Sequence, residues 1–206
     1  MSRDDWLDNW FKEQYKQLDG RYGTMKAALE FIRDMQSPLI LETGCQRQAN
    51  DWGAGMSSMV FCDFLKRSEN GGTLISVDVN PMIVDFCKTA TKEWETFRTI
   101  VCSDSVKYLE VLPSSTIINL LYLDSWDYPI IEIADLYGPR KDYLKNYKML
   151  AELGEGEVLS RHGEMIAPSQ EHCLKEIQIA LPHLELSSVV LIDDDDLSPK
   201  LVPFLG

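Results

Sequence analysis

The sequence predicts an α/β protein built on a doubly wound, mainly parallel sheet with a helical layer on each face. Three observations carry that expectation. Apolar runs of strand length alternate with amphipathic runs of helix length. The later runs, such as Ile117 onward, are almost wholly apolar, as strands covered on both faces must be. Four of the runs close on a carboxylate at or near the tip: Glu42, Asp78, Asp124 and Asp193. Open sheets of this kind hold ligands at the carboxyl ends of their strands.

The elements follow in order. Trp6, Trp10, Phe11 and Tyr15 recur at helical spacing and predict a first helix with an aromatic face, broken by Gly20 and Gly23. A second helix over 24–35 stops ahead of Ser37-Pro38, because the residue before a proline leaves the helical region. These helices make up an N-terminal segment, residues 1–36. A first strand over 39–43 leads through a polar loop to a helix over 56–66, and a second strand covers 73–78. Asn80-Pro81 opens a helix running to about residue 93, with proline tolerated in its first turn. A third strand over 97–102, a short helix over 105–111 and a fourth strand over 117–124 continue the alternation. Residues 125–168 break the rhythm, and an insertion over 129–168 is expected there, placed where loops define substrates. A helix over 169–180 and a fifth strand over 187–192 close the pattern, ahead of four consecutive aspartates, 193–196. The whole is expected to be a single Rossmann-like domain of three layers, α/β/α, with right-handed crossovers.

Composition narrows the class. The chain has 206 residues, enough for one substantial core, with 45% hydrophobic and 26% charged residues. Its net charge of −13 disfavours nucleic acid and anionic membrane surfaces as partners. No apolar run approaches the roughly 20 residues of a membrane span. The acidic, amphipathic N-terminus is unlike a secretory signal. Five scattered cysteines without paired spacing fit a reducing cytoplasm.

Three motifs carry chemistry. The first is Glu42-Thr43-Gly44 with the loop through Gly53 and Gly55 and Ser57 in the first turn of the predicted helix. A glycine turn at a strand end lets backbone approach a ligand, and Asp78 at the tip of the next strand can accept hydrogen bonds from ribose hydroxyls. A carboxylate inside an apolar strand needs a partner, so a ligand or cation is expected near Glu42. The next glycine after Gly44 is nine residues on, at Gly53. That spacing makes no tight pyrophosphate cradle and argues for S-adenosylmethionine over NAD. The second motif is Val-Cys-Ser-Asp-Ser at 101–105, where Ser103 and Asp104 either meet an adenine or cap the following helix. The third joins Leu-Tyr-Leu-Asp-Ser-Trp-Asp at 121–127 to the aspartate run. Converging Asp124, Asp193 and Asp194 would need a cation such as Mg²⁺, unless the run is a solvated loop.

In this order the motifs resemble those of class I S-adenosylmethionine-dependent methyltransferases, nearest to the metal-dependent small-molecule O-methyltransferases related to macrocin and novobiocin-sugar enzymes. The resemblance covers about residues 39–128 and 169–195. It implies Glu42 and Gly44 at the methionine end of the cofactor, Asp78 on the ribose and Asp104 near adenine. It also implies Asp124, Asp193 and Asp194 on Mg²⁺. Thr43, Gly53, Gly55, Ser57, Ser103 and Asp124 complete the expected cofactor contacts. The family's second aspartate, two residues beyond the metal aspartate, is Trp126 here, so Asp127 is the candidate base, with His162 and His172 as rivals. Trp52, Trp126, Tyr128 and Tyr137 could wall a small-molecule pocket. The family sheet continues into a C-terminal hairpin, which the last ten residues with Pro199 and Pro203 cannot supply. A truncated chain is expected, or an edge covered by the insertion or by a second subunit of a homo-oligomer. Two other readings stand beside this one: a non-catalytic cofactor-binding or interaction protein on the same fold, and an NAD(P)-dependent oxidoreductase.

Overall fold

The structure, a computed structural model, describes residues 5–50, 52, 55–124 and 171–193. Residues 1–125 with 178–193 form one compact unit, and residues 126–177 with 194–206 form a second. The predicted insertion over 129–168 lies outside the described residues.

Five strands build the sheet of the first unit: β1 (Leu39–Thr43), β2 (Thr73–Asp78), β3 (Arg98–Cys102), β4 (Leu120–Leu123) and β5 (Val189–Ile192). Their order is β3-β2-β1-β4-β5, and every pairing is parallel. The chain therefore winds outward from β1 through β2 to β3, returns to the middle at β4, and winds outward the other way. Right-handed crossovers then put the helices of the two halves on opposite faces. The expected doubly wound α/β architecture is what the chain forms.

One face is covered by α1 (Asp5–Gln14), α2 (Tyr22–Ile32), α3 (Ser57–Ser68) and α4 (Pro81–Ala90). Leu7, Trp10, Phe11, Leu29, Phe61 and Phe64 from the first three pack with Ile40, Leu74, Leu120 and Tyr122 of the strands in one continuous core. Even-numbered residues of β1, β2 and β4 supply that face, as the two-residue period of a strand requires. Asp63 of α3 fixes α1 by polar contacts: it accepts from the Trp10 indole (3.1 Å) and the Tyr15 hydroxyl (2.8 Å). The short helix α5 (Ser105–Glu110) belongs to the crossover from β3 back to β4. Residues 171–180 are helical and lead through the 3-10 turn Leu181–His183 into β5.

The boundaries of β1 and β2 match the sequence expectation; α2 spans Tyr22–Ile32 instead of 24–35, β5 begins at Val189 instead of 187, and three further differences have physical reasons. The break after α1 is a 3-10 turn, Lys16–Arg21, that contains Gly20; Gly23 lies inside α2, with nothing within 4 Å of where its Cβ would stand. The helix after Pro81 ends at Ala90 because Arg98 takes up its last carbonyls, Nη2 on Lys88 (2.6 Å) and Nε on Thr91 (2.9 Å). The chain then kinks at Trp94. β4 begins at Leu120, since Ile118 donates its N–H to the His183 carbonyl (2.8 Å) and is drawn out of the ladder.

Candidate functional site

The strand order places a topological switch point between β1 and β4, where successive connections leave in opposite directions. Thr43 and Asp124 meet there: the Asp124 N–H donates to the Thr43 carbonyl at 2.9 Å. Such a crevice, outside the carboxyl ends of the strands, is where open sheets bind ligands. Gly44 follows with φ 83°, a left-handed conformation that disfavours any side chain, and its N–H reaches the Val77 carbonyl at 2.8 Å. The turn is thereby pinned against the tip of β2.

Asp78 stands at that tip. Its Oδ2 accepts the Cys45 N–H (3.3 Å) and its Oδ1 the Asn80 N–H (2.8 Å). Its carbonyl takes the Ser103 N–H at 3.0 Å, which ties the loop after β3 to the same point. Gly44, Asp78 and Ser103 are thus brought together along the carboxyl edge. Asp104 does something simpler: it caps α5, accepting the Lys107 N–H at 3.0 Å.

Glu42 differs from expectation. Its side chain is fully buried, and its partners are hydroxyls of the chain itself. Ser57 donates to Oε1, while Ser58 (2.6 Å) and Ser76 donate to Oε2. Burial pushes the carboxyl up, the three hydroxyls partly offset this, and it comes to rest at about 7. The partner that desolvation demands is therefore internal and needs no ligand or cation. Ser57, expected on the cofactor, is turned inward onto Glu42 with 2% exposure. Gly55 is buried just ahead of it. Thr43 is buried as well, and its hydroxyl finds no partner among the described residues.

The acidic cluster also departs from the sequence reading. Asp193 follows β5, and its N–H bonds the Leu123 carbonyl at 3.0 Å, so it does sit beside the end of β4. Its Oδ2, however, is held by the Arg21 guanidinium at 2.7 Å and by the Tyr122 hydroxyl. Burial alone would lower the Arg21 pKa, but Tyr122 and Asp193 beside it hold it above its ordinary value. Burial and the neighbouring aspartates keep the Tyr122 phenol protonated. A carboxylate already paired with a guanidinium is a poor ligand for a divalent ion, which the same guanidinium would repel. Asp193 therefore does not fit the expected Mg²⁺ site. Among the described residues no group of three or more His, Cys, Asp or Glu side chains could hold a metal. Asp194 lies outside the described residues, as do the candidate base Asp127 and the loop glycine Gly53.

Of the rival bases, His172 Nε2 lies 3.3 Å from Glu176 Oε1, one turn along the same helix; His162 is outside the described residues. Trp52 packs by its ring near Tyr15, with centroids 6.1 Å apart, and gives its carbonyl to Arg21 at 2.8 Å. Trp126, Tyr128 and Tyr137 are outside.

Four residues of this region went unread in the sequence. Ser58 and Ser76 could have been suspected, since Ser76 is a hydroxyl in the middle of an apolar strand and pairs in register with Glu42. Arg21 and Tyr122 gave no local signal. They are 101 residues apart, and Arg21 is 172 from Asp193.

No protein-family model matches the chain, and neither does any curated protein. Among solved structures it is similar to the SAH-bound methyltransferase PaMTH1 of Podospora anserina, with a TM-score of 0.48 and 12% identity, over 94% of this chain and 62% of that one. It is also similar to the precorrin-6y C5,15-methyltransferase of Geobacter metallireducens, with a TM-score of 0.37 and 17% identity, over 68% of this chain and 74% of that one. The chain thus spans about three-fifths of the length of the Podospora protein.

Proposed function

We propose that this protein binds S-adenosylmethionine at the carboxyl edge of β1 and β2 and transfers its methyl group to a small-molecule oxygen nucleophile. The observation that carries the reading is what occupies the start of α3. In a dinucleotide fold the cofactor's pyrophosphate sits on the helix N-terminus that follows β1. Here Ser57 and Ser58, in the first turn of α3, spend their hydroxyls on the buried Glu42 carboxyl, and no glycine stands between Gly44 and Gly53 to make a tight phosphate cradle. An adenosine cofactor without phosphates needs no such cradle. The Gly44 turn allows close backbone approach, and Asp78, at the tip of β2 beside it, is the carboxylate that would meet ribose hydroxyls.

The chemistry asked of the site is modest. Methyl transfer is an in-line displacement at the sulfonium methyl, in which an oxygen attacks carbon and the thioether leaves. The protein must hold the nucleophile at about 3–3.5 Å from that carbon and keep water out. Asp124, at the switch point, stands where acceptor and cofactor would meet, and Asp127 would take the acceptor's proton. No step is routed through a metal, because Arg21 already answers the charge on Asp193.

Calorimetric titration with S-adenosylmethionine and with NADH tests the assignment. Saturable binding of the first and none of the second is expected. Binding of NADH alone would transfer the site to hydride chemistry. S-adenosylmethionine binding without methyl transfer to any of a panel of hydroxylated acceptors would favour a non-catalytic binding role.

A further inference from the structure

We propose that Arg21 is a positioning residue, which clamps the loop after β1 to the acidic end of β5, with Asp193 as the anchor of that clamp. Its effect on cofactor affinity rests on the reading above; its geometry does not. Arg21 closes the 3-10 turn after α1 and reaches three parts of the carboxyl edge at once. Nη1 lies 2.7 Å from Asp193 Oδ2 and 3.3 Å from the Tyr122 hydroxyl, and Nη2 lies 2.8 Å from the Trp52 carbonyl. These belong to the end of β5, to β4, and to the loop that carries the cofactor glycines. The Arg21 and Asp193 side chains are only 14% and 6% exposed, so bulk ions screen the pair weakly.

The planar fork is what makes this a clamp. One nitrogen answers a charge and the other, in a fixed direction, takes a backbone carbonyl. A lysine ammonium is a compact charge whose three donors radiate from one atom. It can neutralise Asp193 but cannot hold the Trp52 carbonyl from the opposite side. The loop would then keep the Trp52–Tyr15 ring contact and lose its polar tether.

The test uses the whole protein, its Arg21→Lys and Asp193→Asn variants, and two readouts. In hydrogen exchange without cofactor, Arg21→Lys should speed exchange over residues 46–56 by about tenfold while leaving β1 and β2 protected, the scale expected when one charge-assisted hydrogen bond is lost. S-adenosylmethionine affinity should fall by a similar factor, with or without Mg²⁺. Asp193→Asn should move both readouts in the same direction and serves as the second variant if Arg21→Lys fails to fold. Unchanged exchange over 46–56 in a folded variant overturns the clamp. So does Mg²⁺ that tightens S-adenosylmethionine binding in the wild type but not in Asp193→Asn, because Asp193 would then be a metal ligand. If the wild type binds no S-adenosylmethionine, the cofactor reading fails, and the exchange data still decide the clamp.

Discussion

A carboxyl group sealed from water and ringed by three hydroxyls stands between two states of similar free energy. Burial favours the neutral acid at Glu42, while Ser57, Ser58 and Ser76 favour the anion, and the balance falls at about 7 against an ordinary 4.5. The folded protein therefore holds this proton to higher pH than the unfolded chain does. The stabilisation this gives is complete below the unfolded value and is lost as pH rises through the folded one. Between pH 4.5 and about 7 that loss amounts to roughly 3 kcal/mol at most. Glu42→Gln removes the titration and keeps the size. Urea unfolding at pH 5 and pH 8 should show the wild type losing up to roughly 3 kcal/mol relative to the variant; a difference that stays flat with pH would mean Glu42 does not titrate in this range. Asp78 is the complementary case, a partly exposed carboxylate with backbone donors on each oxygen. Asp78→Asn should cost about 1 kcal/mol of stability through the backbone donor left unmatched, and weaken S-adenosylmethionine by at least about tenfold, as read by calorimetry.

At the scale of elements, the parallel sheet is stitched at its amino edge by one tight corner. The Thr73 N–H bonds the Pro38 carbonyl at 3.0 Å, and Gly72 passes beneath with φ 108°. A Cβ on Gly72 would lie 2.6 Å from that carbonyl oxygen and 2.8 Å from Leu65 Cδ2. Gly72→Ala should therefore lower stability by about 2–4 kcal/mol, the cost of a left-handed residue added to a backbone clash, as a drop in urea midpoint with the slope unchanged. The same corner explains why β1 and β2 were legible in sequence to the residue. Each is an apolar run closed off by proline or glycine on one side and a polar tip on the other, so local chemistry alone sets its ends. The end of α4 was not legible, because Arg98, eight residues beyond Ala90, terminates it from the next strand. The Glu42 nest was half legible. The buried acid was visible, but its donors come from α3 and from the neighbouring strand, and only the sheet register brings Ser76 beside it. Arg21 was invisible for a stronger reason: nothing near it in the chain resembles a partner.

For the molecule as a whole, the N-terminal helices form part of the core. Tyr122, Phe61 and Phe64 are fully buried, and Trp10, Phe11 and Tyr15 stand in the same cluster over them. Trp10 is the hub: its ring lies within 5.1–6.5 Å of Trp6, Phe11, Tyr15 and Phe64, its indole N–H reaches Asp63, and Arg67 stacks on its face at 5.5 Å. α1 leads directly into the turn that ends in Arg21, so the proposed clamp would couple it to the carboxyl edge of the sheet. Trp10→Ala should then do two things at once. It should cost about 3–5 kcal/mol of global stability through the cavity and the loss of one of the two hydrogen bonds on Asp63 Oδ2, measured by urea unfolding. It should also weaken S-adenosylmethionine binding at a distance, since the segment that carries Arg21 loses its footing. Trp10→Phe keeps most of the volume and gives up the hydrogen bond, so it should lose only about 1–2 kcal/mol and bind the cofactor normally. If the alanine variant is destabilised as expected but binds with wild-type affinity under folded conditions, then α1 supports the fold and leaves the ligand edge untouched.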